Sequence, residues 1–179
     1  MMSYLRLAAV DDIEEITKLI QLSARKLGSD FYAKETIESA LKGAFGVDTQ
    51  LIKDKTYYVI TTTDYEIIAC GGWSFRKTLF GSDTNNTRNA KKLNPKTDAA
   101  KIRAFFIHPN HARTGLGYQL LVHCEQKARN QGFKHSQLMS TLSGVDFYKK
   151  NGYRGDKYIY HSMNDSGEIK FLPMIKSLD

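Results

Sequence analysis

The apolar and polar positions divide the chain into alternating helical and extended stretches. Between Asp11 and Leu27, the residues Ile13, Ile16, Leu19, Ile20, Ala24 and Leu27 recur at three- and four-residue steps, with Asp12, Glu14, Glu15 and Lys18 on the other side. That spacing predicts an amphipathic helix capped by Asp11, with acid in its first turn where the helix dipole favours negative charge. A short strand, Tyr4–Ala8, precedes it, and a second helix is expected over about Ala33–Phe45, with Gly46 ending it. The pattern then changes. Thr56–Thr63 is β-branched and aromatic, Asp64-Tyr65-Glu66 suits a hairpin turn, and Ile67–Phe75 reads as the partner strand. Gly81–Ala100, rich in Asn, Thr, Lys and Asp, reads as a long loop. Ile102–His108 is an apolar run suited to a buried central strand, and Pro109 stops it.

Gly115–Gln131 carries the clearest helical signal. Gly117, Leu121, Cys124 and Ala128 share one face, Glu125, Lys127 and Arg129 are expected to face water, and Gly132 closes the helix. A strand near Gln137–Ser140, a short helix over Leu142–Lys150, and strands near Tyr153–Met163 and Glu168–Lys176 complete the chain. The order βααβββαβαββ predicts an α/β protein of the α+β mixed-sheet kind, a twisted mixed sheet flanked by helices. With no internal repeat and no Pro/Gly/Ser-rich linker, residues 1–179 are expected to form one domain.

Composition narrows the picture only slightly. Hydrophobic residues make up 41% and charged residues 25%, an ordinary globular balance. No run approaches the roughly 18 apolar residues of a membrane span, and Met1–Arg6 leads into an acidic segment without a signal-peptide core. A cytoplasmic protein is expected. Cys70 and Cys124 each sit in an apolar stretch and read as buried free thiols. The net charge of +7 fits nucleic acid, a small polyanion or plain solubility. The basic residues are spread out, with loose clusters at Arg88–Lys101 and Lys149–Lys157 and no nucleic-acid motif. The five histidines lack metal-ligand spacing, so no metal is expected.

The chemistry concentrates between Ile102 and Tyr153. A strand ends at Ile107-His108-Pro109, and Ala112-Arg113-Thr114-Gly115-Leu116-Gly117 opens the long helix. Such a loop aims successive backbone N–H groups at one point, where the positive end of a helix dipole also lies. Glycines admit a phosphate close to the chain, and Arg113 adds a charge-assisted donor. The loop lacks the Gly-Lys-Ser/Thr of a Walker loop and the third glycine of a dinucleotide fingerprint. Some thirty residues later stands Gly144-Val145-Asp146-Phe147-Tyr148-Lys149-Lys150-Asn151-Gly152-Tyr153.

Together these two segments resemble the GNAT superfamily of acetyl-CoA-dependent N-acetyltransferases. The resemblance implies the GNAT fold, acetyl-CoA as acyl donor, no metal, and acyl transfer to the primary amine of a small molecule or protein. By position it implies that Phe106 and Ile107 offer backbone bonds to the pantetheine arm. It implies that Arg113, Thr114, Gly115, Leu116, Gly117 and Tyr118 hold the pyrophosphate, with Thr141 where many members use Asn. Tyr148 aligns with the tyrosine that acts as general acid. A phenol of pKa about 10 is a sensible donor to a thiolate of pKa about 8.5, and a backbone N–H near Ile107 is suited to polarise the carbonyl. A homodimer is compatible with the family; nucleic acid and membrane are not expected as partners.

Four positions depart from the family pattern. Ala112 stands at the first place of the loop motif, Gly144 replaces Ala, Tyr153 replaces Phe, and Lys101 stands where many members carry a Glu able to act as base. The base is therefore open among Glu66, His108, His111 and an ordered water. A non-catalytic acyl-CoA sensor is the alternative to an enzyme. The segment Gly71–Gly81 resembles a bacterial branch of the family with no settled acceptor. Because the strand before the cofactor strand often lines the acceptor pocket in this family, Tyr32, Trp73 and Arg76 are pocket candidates. The Gly81–Ala100 segment is read either as a lid over that pocket or as a surface loop.

Overall fold

The computed structural model describes residues 2–84, 89–163, 165 and 167–179. Seven strands form one sheet: β1 (Ser3–Leu7), β2 (Tyr57–Thr62), β3 (Ile67–Ser74), β4 (Ala100–Ile107), β5 (His135–Thr141), β6 (Ile159–Ser162) and β7 (Glu168–Ser177). Their order across the sheet is β1-β2-β3-β4-β5-β7-β6. All neighbours pair antiparallel except β4 and β5, which run parallel. The helices are α1 (Ile13–Leu27), α2 (Lys34–Ala40), α3 (Thr49–Lys53), α4 (Leu116–Asn130) and α5 (Val145–Lys150). This is the mixed sheet with flanking helices that the element order predicts.

Two apolar clusters sandwich the sheet. On one face Ile16, Leu19, Ile20 and Ala24 of α1 pack with Ile37, Phe45, Val59 and Phe171. On the other, Leu120, Leu121, Cys124 and Ala128 of α4 pack with Trp73, Ile102, Leu138 and Tyr148. The apolar stripes of α1 and α4 thus do what their periodicity dictates. Both cysteines are buried and free.

The corrections are local. Asp11 does not cap α1; the carboxylate of Asp12 accepts from the Ala9 N–H at 2.7 Å and pairs with Arg6. Helix α2 stops at Ala40 instead of Phe45, and the Phe45 N–H returns to the Ala40 carbonyl at 2.8 Å. Gly43 and Gly46 follow closely, and glycine weakens helix propagation. Helix α3 is too short to show a period; Asp48 caps it by accepting from the Gln50 N–H. The extended segment expected from Tyr153 pairs only over Ile159–Ser162, with a single bridge from Arg154 to Ile175. Pairing on β7 stops two residues short of Pro173, which has no N–H to offer.

Glu125, expected to face water, is buried. Its carboxylate accepts from Lys176 at 2.8 and 2.9 Å and from the Tyr153 hydroxyl at 3.0 Å. Of the Gly81–Ala100 segment, residues 85–88, Arg88 included, lie outside the described residues. Its later part runs back beside the tail of β3: the Thr78 N–H meets the Asn89 carbonyl and the Leu93 N–H meets the Phe75 carbonyl. Among the described residues it is an arm on that strand, not a lid.

Candidate active site

The site begins with a defect in the sheet. β4 and β5 pair only through Ala100–Ser136 and Lys101–Gln137, after which they diverge. Immediately beyond, β4 carries a bulge: its register with β3 passes from Gly72–Arg103 to Cys70–Phe106, so that Ala104 and Phe105 together oppose Gly71. Ala104 takes a left-handed φ of 52°, and the Tyr57 hydroxyl donates to its carbonyl at 3.1 Å. Gly71 has no choice of side chain there, since a Cβ would stand 2.6 Å from the Phe105 ring. Bulges bend the strand and end pairing. The result is a cleft of about 900 Å³ that opens between β4 and β5, with Phe106, Ile107, Leu138 and Tyr148 in its walls.

One end of the cleft meets the Gly-rich loop. After β4, Pro109–His111 makes a single 3-10 turn, with the Asn110 N–H donating to the His108 ring at 3.2 Å. Arg113 has φ 62° and Gly115 φ 92°, the second as N-cap of α4. Two left-handed residues so close together curl the backbone inward. The first N–H groups of α4, on Leu116, Gly117 and Tyr118, have no preceding turn to bond, and intrahelical bonding starts with Gln119 to the Gly115 carbonyl at 3.0 Å. Nothing lies within 4 Å of where a Gly115 Cβ would stand, whereas at Gly117 that atom would meet the Phe147 ring at 3.3 Å. Gly115 therefore leaves the open space, and Gly117 serves the packing of α4 on α5. Arg113, Gly115, Leu116, Gly117 and Tyr118 all border the cleft; the Thr114 hydroxyl is turned to the His111 carbonyl at 2.6 Å. An anionic chain of phosphates fits this arrangement: donors, a dipole and a cation converge on unfilled space.

Tyr148 borders the cleft. Its ring packs on Phe147 and Tyr153 at centroid distances of 5.0 and 5.6 Å. Gly144 belongs to the same contact: a Cβ there would sit 3.1 Å from the Tyr148 ring, which explains why glycine replaces alanine. Tyr148 is 9% exposed, and burial beside the Cys124 thiol pushes its pKa well above the ordinary phenol value. It is a phenol that keeps its proton. Thr141 ends β5 at the same wall, its hydroxyl 3.1 Å from that of Ser143.

Other expectations are redistributed. Tyr32 does border the cleft, but its hydroxyl is spoken for: it donates to the Lys170 carbonyl at 2.6 Å and accepts from the Leu142 N–H at 2.8 Å, and burial pushes its pKa up to about 12. Trp73 is not in the pocket; it is buried in the α4-side core against Phe75 and Phe133. Every residue of β3 is buried, so alternation could not say which face Trp73 takes. Arg76 is not in the pocket either, because Asp54 holds its guanidinium at 2.6 and 2.7 Å and the Ala90 carbonyl holds the remaining amine. Lys101 donates to Gln137 at 2.7 Å at the closed end of the strand pair, where burial lowers its pKa. Of the three residues weighed as base, His111 borders the cleft, while Glu66 and His108 do not.

Sequence reasoning missed Ser23 and Arg103. Ser23 is a polar residue inside the apolar stripe of α1, and its hydroxyl accepts from the Ile107 N–H at 3.3 Å. That N–H, expected to polarise a carbonyl, is thus engaged by a long, weak bond on the α1 side. Arg103 interrupts the apolar run of β4. Its guanidinium is buried against Asp48 at 2.9 Å and grips the carbonyls of Thr78 and Gly81.

The fold is a mixed sheet parted between two parallel strands, with a Gly-rich loop and a buried phenol bordering the gap, and the family it belongs to is one of acyltransferases. The acetyltransferase (GNAT) family matches residues 16–153, and the chain belongs to that family. No protein of curated function matches the sequence. Among solved structures, a GCN5-related N-acetyltransferase from Rhodopseudomonas palustris is similar at 16% identity and TM-score 0.71, covering 99% of this chain and 96% of that one. The PaiA N-acetyltransferase from Thermoplasma acidophilum, solved in complex with coenzyme A, is similar at 16% identity and TM-score 0.64, covering 99% of both chains. The ribosomal-protein-S18-alanine N-acetyltransferase from Escherichia coli reaches TM-score 0.59 at 14% identity, covering 99% of this chain and 95% of that one. At these identities the likeness speaks for the fold. Among the described residues no cluster of three or more His, Cys, Asp or Glu could hold a metal ion, and no helix is long and apolar enough to cross a membrane.

Proposed function

We propose that this protein transfers an acetyl group from acetyl-CoA to a primary amine, with Tyr148 as general acid. The observation that carries the reading is the placement of Tyr148, buried and protonated, on the wall of a cleft whose one end is an anion cradle. Acetyl-CoA supplies the activated thioester. Arg113 and the N–H groups of Gly115, Leu116, Gly117 and Tyr118 bind its phosphates, and the cleft-facing backbone of Phe106 and Ile107 aligns its pantetheine arm. Tyr148 hydrogen-bonds the departing sulfur and gives it a proton. Burial raises the pKa of a phenol, and it raises that of a thiol alike, so the pair stays matched inside the cleft. The Ile107 N–H reaches a carbonyl oxygen when Ser23 rotates away, exchanging one weak bond for another. The base that takes the proton of the amine is to be sought among His111, Asp30 and Asp146, which border the cleft.

The sensor alternative drew its support from Lys101. That side chain donates to Gln137 at the closed end of the strand pair and supplies no base, so the sensor reading is told apart by activity. The test is thermal stability with near-millimolar acetyl-CoA, ATP or NAD, followed by CoA release with an amine panel. A rise in Tm with acetyl-CoA alone, and amine-dependent release, are expected. Equal rises with all three polyphosphates, or no release with any amine, would overturn the assignment.

A further inference from the structure

The end of the cleft opposite the cradle is walled by phenylalanine. Phe105 and Ile107 pack with the α4-side core, while Phe106 packs with the α1-side core. There the Phe45 ring stands edge-on to Phe106 at 5.9 Å and to Phe171 at 6.3 Å, and Phe80 leans on Phe171 at 5.4 Å. Phe45 and Phe171 are buried, Phe80 and Phe106 half-buried, and all four border the cavity with Met139. The wall is preset. Arg103 grips the carbonyls on either side of Phe80, at Thr78 and Gly81, and Phe80 also meets the His161 ring at 4.7 Å.

Polar groups are scarce here among the described residues. The guanidinium of Arg103 is committed to Asp48 and to the two carbonyls, so it is not offered to a carboxylate ligand. Lys26 and Asp30 border the cleft but are exposed at its rim. A polyamine needs several carboxylates to replace its water, and an amino-acid acceptor needs a cation for its own carboxylate. Among the described residues, the four phenylalanines and Met139 that form this wall supply neither. An apolar wall disfavours an ammonium and favours the free amine, which is the nucleophile. We infer that the acceptor is a primary amine borne on an aryl or comparably bulky apolar group, which packs against the wall that Phe45, Phe80, Phe106 and Phe171 present to the cleft. The inference rests on the transferase reading.

The experiment compares kcat/KM for 2-phenylethylamine, ethylamine, spermidine and glycine with acetyl-CoA, alongside calorimetric binding of 2-phenylethylamine to the whole protein. An advantage of at least about a hundredfold for 2-phenylethylamine over ethylamine is expected, since single methylenes in apolar pockets already discriminate by about tenfold or more. Phe80→Ala should cut that ratio by about tenfold while the thermal shift with acetyl-CoA persists, which shows the variant is folded. Phe80→Leu should lie between the two. Preference for spermidine or glycine would overturn the inference and leave the transferase standing. So would a preference for octanoyl-CoA over acetyl-CoA without aryl discrimination, because the wall would then hold the acyl chain. If acetyl-CoA fails to bind, the transferase reading falls, and calorimetry decides the pocket by itself. Saturable binding of 2-phenylethylamine that Phe80→Ala weakens would support it; absence of binding would overturn it.

Discussion

Consider the removal of one oxygen, Tyr148→Phe. The hydroxyl makes no hydrogen bond to any described residue, so deleting it orphans no partner, and the change in stability should stay within about 0.5 kcal/mol. The ring keeps its contacts with Phe147 and Tyr153, so the cleft should keep its shape. Chemistry should not be spared. General acid catalysis contributes typically about 10² to 10⁴ in rate. Water in an open cleft substitutes partly for the lost donor, which points to the lower half of that range. A loss of two to three decades in kcat is about 3–4 kcal/mol of transition-state stabilisation. The phenol's pKa is raised, so its proton stays on to beyond pH 10, and no falling limb from this group should appear in the wild-type profile between pH 7 and 10. The assay is CoA release read with a thiol reagent at saturating amine, with acetyl-CoA affinity measured by calorimetry. A drop in kcat under threefold would refute the acid role. So would a loss confined to acetyl-CoA affinity, which would make Tyr148 a wall of the site and nothing more.

Two further outcomes follow from the same geometry. Gly115→Ala places a methyl in the open space of the cradle and forces a left-handed φ on alanine, at about 1–2 kcal/mol of strain. Acetyl-CoA affinity by calorimetry should fall at least tenfold, and Tm by about 2–8 °C; unchanged affinity would remove the loop as the phosphate site. Stability should also decline in alkali. Burial raises Cys70 from 9.0 and Tyr32 from 10.0, each to about 12, so the folded state favours their protonated forms. That contribution is complete below about pH 9 and is lost as pH rises towards 12, because the unfolded chain gives up these protons first. Urea midpoints at pH 8, 10 and 11 should fall in that order; a flat series would contradict it.

The parts of the molecule legible in its sequence are those written locally. The stripes of α1 and α4 and the Gly-rich loop depend on residues within a turn or two of one another, and they stand where the pattern puts them. Tyr148 was legible through its neighbours in the motif. What escaped depends on distant partners. Glu125 looks like a solvated helix residue until Lys176 and Tyr153 arrive from elsewhere in the chain. Arg76 looks free until Asp54 is folded beneath it. The phenylalanine wall comes from four separate segments, none with a pattern of its own. The bulge at Ala104 and Phe105 follows from the fit of one ring over Gly71, which hydrophobic periodicity does not encode.

The two-rung pairing of β4 with β5 has a consequence beyond the chemistry. Past Lys101 and Gln137, each strand presents backbone donors and acceptors to a gap, as the outermost strands of a sheet do. Exposed rows of this kind recruit other chains and seed aggregation, and proteins commonly blunt them with charge or proline. Here the protection is positional. Helix α1 packs on β3 and β4 from one face and α4 from the other, and the gap closes at the two paired rungs. The gap is a cleft walled by side chains from helices, strands and loops, so its edges do not lie on the outer rim of the sheet, where another chain would add. The protein thus keeps an adhesive seam in its interior, away from the outer strands.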